Sequence, residues 1–344
     1  MKPQPCLGVA ICTFNAADVI LDCLETVLAS KQVRLNIVVV DNASSDGTAA
    51  VLQEWARTRN WSAPDDCPFT VTRHAMRSLI NLRTGVISDS PHRLRLLEAS
   101  ANGGFAAGVN LALAELEKDL SLDRYWILNP DCLVPSETAV AFATQNSPNG
   151  DFSLMGGRVL YCDGTDRIQI DGGTLNRRTG VTGNLNLGAS SAVTPAPSSR
   201  DMDFVSGASM VASRQFYKLA GPMPEEYFLY YEEVDWAQRR GSLPLVYCKD
   251  AIIYHRAGTA IGSPTLGRPA SAFSLYFKHR ARLRFVRQHL PRSLPIALTY
   301  SFAKALQLLL NGYFTEAATI ITASLGLPPT REIRERLRNS SFKA

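Results

Sequence analysis

The stretch NIVVVDNASSDGT, residues 36–48, decides the fold. Four consecutive β-branched apolar residues, Ile37–Val40, end in the carboxylate of Asp41 and a polar turn containing Gly47. TAAVLQEWAR (48–57) then takes up helical spacing. An unbroken apolar run has no polar face, so it belongs to a strand covered on both sides, as in a parallel sheet flanked by helices. Working outward, the same rhythm recurs. LGVAICTFN (7–15) is followed by the helical DVILDCLETVLAS (18–30). RLRLLEAS (93–100) is followed by ANGGFAAGVN and VNLALAELEKDL (109–120), and YWILNPDC (125–132) is a further strand. Strand alternating with helix predicts an α/β fold on a mostly parallel sheet.

The remaining segments are read more coarsely. Residues 57–92 contain Pro64, Pro68 and Pro91 and few periodic apolar positions, so they read as a loop excursion. Met155–Gly188 reads as short Gly-rich strands, and SSAVTPAPSS (190–199) as a mobile low-complexity loop. LVYCKDAIIY (245–254) is strand-like and leads to His255. After a loop, GTAIGSPTLGRPAS, three helical segments follow: SLYFKHRARLRFVRQHL, SLPIALTYSFAKALQLLLNGYF and EAATIITASLGL.

The 344 residues suffice for one large domain or two smaller ones, and 46% hydrophobic with 19% charged residues is an ordinary globular composition. Seven scattered cysteines without a CxxC pair argue against a disulfide framework or a zinc site and fit a reducing cytoplasm. The apolar run in MKPQPCLGVAICTFN is too short, and too interrupted by Pro3 and Pro5, for a signal peptide. The net charge of +5 is uneven. Ser271–Ala344 holds twelve Lys and Arg against three Glu, a balance of +9 that leaves −4 for the rest. An anionic partner such as a membrane surface, a diphosphate or a nucleic acid fits that asymmetry, as does a solvated helix face.

Open parallel sheets bind ligands at the carboxyl ends of their strands. Here those ends carry Thr13-Phe14-Asn15, Asp41-Asn42, Asn102-Gly103-Gly104 and Asn129-Pro130-Asp131. Asp41 can accept from a ribose hydroxyl or a base N–H, and Ser44, Ser45 or Asp46 can cap the next helix in its stead. NGGFAAG (102–108) lets a ligand approach the backbone at a helix N-terminus, although it is neither GxGxxG nor a Walker loop. Asp131, on a turn set by Pro130, suits Mg²⁺ or Mn²⁺, which are held by one or two carboxylates together with phosphate and water. In EEYFLYYEEVDW (225–236), Glu232, Glu233 and Asp235 crowd beside aromatics, which raises a carboxylate's proton affinity toward that of a general base. A helix N-terminus that favours acids explains part of the same cluster. His255 reads as a structural histidine or as a group completing a metal or diphosphate site.

Together these pieces resemble the family 2 glycosyltransferases, inverting enzymes of GT-A fold, and most closely the bacterial rhamnosyltransferases of cell-surface polysaccharide synthesis. The pieces, in order over about residues 7–290, are VAICTFN, VVVDNASSDGT, ANGGFAAGVN, ILNPDC, DFVSGASMVASRQFYKLAGPMPEEYFLYYEEVDWAQR and YHRAG. The resemblance implies a GT-A domain over residues 1–262, its nucleotide-binding half about 1–132 and its acceptor half about 133–262. A basic helical region over 263–344, a candidate for membrane contact, would follow. Thr13, Phe14, Asn15, Asp41 and Asn42 would hold the nucleotide; Asn102, Gly104, Phe105, Asn110 and Asn129 would line the donor pocket. Asn129-Pro130-Asp131 stands where the family keeps Asp-x-Asp, so Asp131 would carry the metal contact, with His255 joining it. Ser206, Gly207 and Ala208 would shape the acceptor side. Glu233 falls at the place of the catalytic base, usually Asp, with Glu232 and Asp235 beside it, and Arg239 would contact donor phosphate or pair with the acids. The implied reaction moves a sugar, rhamnose from dTDP-rhamnose first and a UDP-hexose or galactofuranose second, to a lipid-linked or polysaccharide hydroxyl. The implied setting is the cytoplasm or the inner face of the cell membrane. A dinucleotide oxidoreductase would need GxGxxG where ICTFNAAD stands. A non-catalytic sugar-binding scaffold would not need Asp131 or the acid cluster, and no nucleic-acid module accompanies the basic helices.

Overall fold

The computed structural model describes residues 4–58, 73–74, 77–86, 91–147, 151–256 and 270–339, with backbone alone for 73–74, 77–86 and 336–339. In chain order the first elements are β1 (Cys6–Thr13), α1 (Ile20–Leu28), β2 (Arg34–Asp41), α2 (Thr48–Thr58), β3 (Arg73–His74), β4 (Arg77–Val86), β5 (Arg93–Ala99), α3 (Phe105–Glu117), β6 (Arg124–Leu128), β7 (Cys132–Leu133) and α4 (Thr138–Thr144). Then follow β8 (Leu154–Tyr161), β9 (Ile168–Ile170), β10 (Gly173–Leu175), β11 (Thr182–Asn184), β12 (Ser209–Ser213), α5 (Arg214–Ala220), α6 (Glu232–Gln238) and β13 (Val246–His255). Helices α7 (Ala272–His289), α8 (Leu294–Leu310), α9 (Phe314–Ser324) and α10 (Arg331–Asn339) close the described chain.

One mixed sheet runs β3-β4-β5-β2-β1-β6-β12-β8-β13-β7, with β9 beside β8. β5, β2, β1 and β6 are mutually parallel. β1, β2 and β6 are buried on both faces, as their apolar runs require, whereas in β5 the half-buried Arg95 and Glu98 interrupt the buried leucines. One apolar cluster fills the face under α1, α2 and α4, and a second fills the face under α3, α6 and α7, giving three layers. Helix α3 lies very close to the sheet because it carries Gly108, where a Cβ would fall 2.2 Å from Cys12 Sγ.

Two expectations are corrected and one strand is added. The excursion over 57–92 contains the edge of the sheet, since β4 pairs antiparallel with β5 over seven residue pairs; residues 59–72 lie outside the described chain. The loop over 190–199 is pinned, because the carbonyls of Ser191 and Thr194 each accept from the Arg158 guanidinium at 3.0 Å. The strand β12, which the sequence did not suggest, inverts the sheet between β6 and β8. That inversion matters for the site. It places residues 206–208, just ahead of β12, at the carboxyl end of β6, and the end of β13 reaches the same rim.

Candidate functional site

The first two strand ends are tied into one loop pair. Thr13 opposes Asp41 in the β1–β2 register, and Thr13 Oγ1 is buried with no protein partner. Asp41 accepts from the Ser44 N–H (3.2 Å) and from Ser44 Oγ (2.5 Å). Ser44 Oγ in turn accepts from the Asn15 N–H at 2.9 Å, and Asn15 Oδ1 accepts from the Ser45 N–H at 2.8 Å. Both loops use left-handed backbone, φ 48° at Asn15 and 61° at Ala43. Burial raises the Asp41 carboxyl, against the pull of the Ser44 hydrogen bonds. Asp46 serves α2, accepting from the Thr48 N–H at 3.0 Å, so Ser44 is free to engage Asp41, which is therefore not left free as the sequence suggested. Phe14 is half-buried beside this pair.

The glycine-rich loop is built differently from the donor pocket expected of it. Asn42 Nδ2 donates to Asn102 Oδ1 (3.1 Å) and to the Gly104 carbonyl (2.9 Å), and Asn42 Oδ1 accepts from the Gly103 N–H at 3.3 Å. The Asn42 amide is thus spent on holding the loop. Gly104 has φ 88° and ψ 174°, a conformation open essentially to glycine alone, and a Cβ there would lie 2.4 Å from the Phe228 carbonyl oxygen. The Phe105 N–H donates to that same carbonyl at 3.2 Å. Asn110 is also a structural clamp: its Nδ2 donates to the Met223 carbonyl (2.8 Å) and Glu225 Oε1 (2.9 Å), and its Oδ1 accepts from the Met223 N–H. It faces the 223–225 turn because it sits a full turn inside α3, beyond the loop that reaches the rim.

At the next strand end the chain gathers oxygen and nitrogen donors. The Asn129 N–H donates to the Ala208 carbonyl at 3.0 Å, and Ser206 Oγ accepts from the Ala208 N–H at 3.3 Å, which seats the Ser206-Gly207-Ala208 turn against the NPD turn. β7 and the end of β13 pair, with Cys132 opposite His255. Asp131 Oδ1 consequently lies 3.1 Å from His255 Nε2. Asn129 Nδ2 is 3.4 Å from the same nitrogen, and Gln169 Oε1 is 2.9 Å from Nδ1. Nδ1 thus faces the Gln169 side chain and Nε2 faces the Asp131 carboxylate. A second partner of this kind orients the ring, as in metal-binding histidines. The ligand atoms of Asp131, Cys132 and His255 lie within 4.8 Å of one another. Cys132 is unsuited to the role: burial holds its thiol well above the ordinary value, and Sγ donates to the Ala208 carbonyl at 3.5 Å. The remaining carboxylate and imidazole fit a hard or borderline divalent ion.

The acid cluster is presented by strained backbone. Phe228, Tyr230 and Tyr231 all have φ between 65° and 70°, which costs on the order of 1–3 kcal/mol each for non-glycine residues. Tyrosine hydroxyls anchor the segment: Tyr227 to Asp235 (2.7 Å), Tyr230 with Ser274 (2.7 Å) and Tyr231 to the Gly180 carbonyl (2.7 Å). The chain then enters α6 with Glu232 and Glu233 at its first two positions. Glu232 is 5% exposed with Oε2 unpartnered, and burial together with the neighbouring Glu233 charge drives its carboxyl well up. Glu233 is half-buried; burial raises it to about 7, with the Lys278 charge of α7 pulling the other way.

Asp235 is held by the protein's own hydrogen bonds. Its wholly buried carboxylate accepts from Tyr227 Oη (2.7 Å) and Arg239 Nε (2.7 Å) and lies 2.8 Å from His289 Nε2. Burial alone would raise it, yet those hydrogen bonds hold it below the usual value. Arg239 is correspondingly engaged by Asp235 and Glu226, not turned to a phosphate. Sequence reasoning missed Gln169, Lys278 and His289. Gln169 lies on a three-residue strand with no local signal, and the other two reach the acids from helix α7, far along the chain.

Residues 8–81 match the family Glycosyl transferase family 2. The low-salt glycan biosynthesis hexosyltransferase Agl10 of Haloferax volcanii is 24% identical over 148 residues, 42% of this chain and 46% of that protein, so the match spans about half of the relative's length. Among solved structures, the mannosyltransferase PcManGT from Pyrobaculum calidifontis in complex with GDP-Man and Mn²⁺ is similar with a TM-score of 0.52 and 17% identity, covering 94% of this chain and 87% of that one. GalNAc-T7 with UDP, GalNAc and Mn²⁺ is similar at 0.54 and 11%, covering 98% and 55%. The fold is the α/β GT-A fold with added C-terminal helices.

Proposed function

We propose that this chain transfers a sugar from a nucleoside diphosphate donor to an acceptor hydroxyl with inversion at the anomeric carbon. The observation that carries the reading is the pairing of Asp131 with His255 at the strand-end rim, 3.1 Å apart, with Gln169 orienting the imidazole. Asp131 and His255 would hold a divalent cation, Mg²⁺ or Mn²⁺, which supplies charge neutralisation for a departing diphosphate. Asp41, with the unpartnered hydroxyl of Thr13, would receive the nucleoside. Glu233 is the base in this reading: it is the more exposed of the two glutamates, and its proton affinity near neutrality suits taking a proton from an acceptor hydroxyl. Glu232, buried beside it, has its carboxyl pushed well up by burial and by the Glu233 charge, which favours its neutral form. The acceptor oxygen then attacks as its proton passes to Glu233.

The donor we propose is dTDP-rhamnose, with a UDP-hexose or galactofuranose next, and the acceptor a lipid-linked or polysaccharide hydroxyl. GDP-Man, and UDP with GalNAc, are held by the similar structures and enter the same screen. Calorimetric titration with dTDP, UDP and GDP, each with and without Mn²⁺, tests the site. One nucleotide should bind only with metal, and Asp131→Ala should abolish that dependence. Equal binding with and without metal, or none at all, would refute the assignment.

A further inference from the structure

The C-terminal helices hold a surface that the sugar-transfer reading does not use. Along α8, Ile296, Phe302, Leu306, Leu309 and Leu310 are 42–78% exposed and lie at helical spacing on one side, while Ala297, Ser301, Ala305 and Leu308 pack inward. Antiparallel to it, α9 exposes Phe314 and Ile321, and Leu325 just past its end is exposed as well. The stripes meet at the hairpin tip, where Leu310 is 78% and Phe314 67% exposed. Pro291–Leu310 is long and apolar enough to cross a membrane by length and composition, and only 22% of it is buried. It is nevertheless fastened along its length. The buried Arg282 donates to the Ala297 carbonyl (3.0 Å) and Ser301 Oγ (2.5 Å), which holds α8 against α7.

Charge identifies the occupant. From Ala251 to Thr315 the chain has no Asp or Glu and nine Lys and Arg. Several of these cations are used internally, but Arg287, Arg292 and Lys304 are exposed beside the apolar helices. On α8 the one charged residue, Lys304, is exposed and lies off the apolar stripe. Two copies of this chain laid face to face would set these cations against each other. An anionic headgroup layer complements them, and the apolar stripe enters the acyl boundary beneath.

We propose that the α8–α9 hairpin is an interfacial anchor that lies flat on an anionic lipid bilayer. The anchor stands on its own observations and does not depend on the donor assignment. The test is flotation of the full chain with vesicles of phosphatidylglycerol and phosphatidylcholine in equal parts, and with phosphatidylcholine alone. The chain should float with the anionic vesicles, at least tenfold more weakly with the neutral ones and more weakly as salt is raised. Leu306→Glu with Leu310→Glu should reduce binding at least tenfold while the melting temperature and nucleotide binding stay unchanged; both side chains are already in solvent, so folding is spared. Lack of flotation with anionic vesicles, or flotation indifferent to the double substitution, overturns the proposal. So does a lipid-free dimer in sedimentation that the double substitution dissolves, which would give the face to a second copy.

Discussion

At Glu233 burial and a neighbouring cation act in opposite directions. Burial favours the protonated form, the Lys278 charge favours the carboxylate, and the balance leaves the group titrating near 7. The same carboxyl in the unfolded chain loses its proton near 4.5. Between these values the folded chain holds a proton the unfolded chain has lost, so stability falls as pH rises from about 4.5 to about 7. Glu233→Gln removes that loss. Its melting temperature should change less than the wild type's between pH 5 and pH 8, while transfer drops by at least 10²-fold and nucleotide affinity is kept. In the wild type, log kcat/KM should rise with unit slope toward a plateau above about pH 7. An unchanged pH profile in the variant would move the base elsewhere. Gln169 belongs to the same scale. Removing the group that orients a metal-binding imidazole costs roughly 10–100-fold in metal affinity, so Gln169→Ala should raise the Mn²⁺ concentration needed for nucleotide binding by that factor.

Among elements, the contact between the glycine-rich loop and the strained tyrosine segment joins the two sides of the rim. It rests on Gly104, whose backbone angles and missing Cβ let the Phe228 carbonyl approach. Gly104→Ala should cost on the order of 1–3 kcal/mol from backbone strain alone. It should also displace Phe228 and the acids that follow it, so urea unfolding and transfer rate should fall together. How far elements could be read from sequence follows from their burial. β1, β2 and β6 are covered on both faces and announce themselves as apolar runs, while β5 shows its buried leucines between Arg93, Arg95 and Glu98. β12 is five residues, SMVAS, framed by small polar groups, and its role comes only from partners distant in the chain. β4 lies within a stretch of low apolar periodicity, and an edge strand requires no more than one apolar face. Helix α10, REIRERLRN, is too charged to have read as a packed element, yet its Ile333 is buried among Tyr276, Phe277 and Ala323. In the site, local motifs pointed to the strand-end positions but not to which of them spend their hydrogen bonds internally. Asn42 and Asn110 look like ligand-binding amides until their partners are seen.

Over the whole molecule, Arg282 is the junction between the sheet domain and the C-terminal helices. It is 3% exposed, donates to the carbonyls of Thr179 and Ala297 and to Ser301, and lies 5.0 Å from the Tyr300 ring centre. Arg282→Met keeps much of the volume but leaves those acceptors unmet, at about 1–3 kcal/mol. Limited proteolysis should then cut first within residues 290–330, ahead of global unfolding; an unaltered cleavage pattern would show that apolar packing alone holds the helices.

Asp131 and His255 meet across 124 residues of chain, one at the end of β6 and the other at the end of β13, on opposite sides of the inverted strand β12. An ion shared by these two side chains would act as a rivet through the sheet. At a hundred times its dissociation constant it would add about 2.7 kcal/mol to the folded state. A chelator should therefore lower the melting temperature of the wild type and leave that of Asp131→Ala unmoved. Metal supply would then govern how long the chain survives as well as how fast it works.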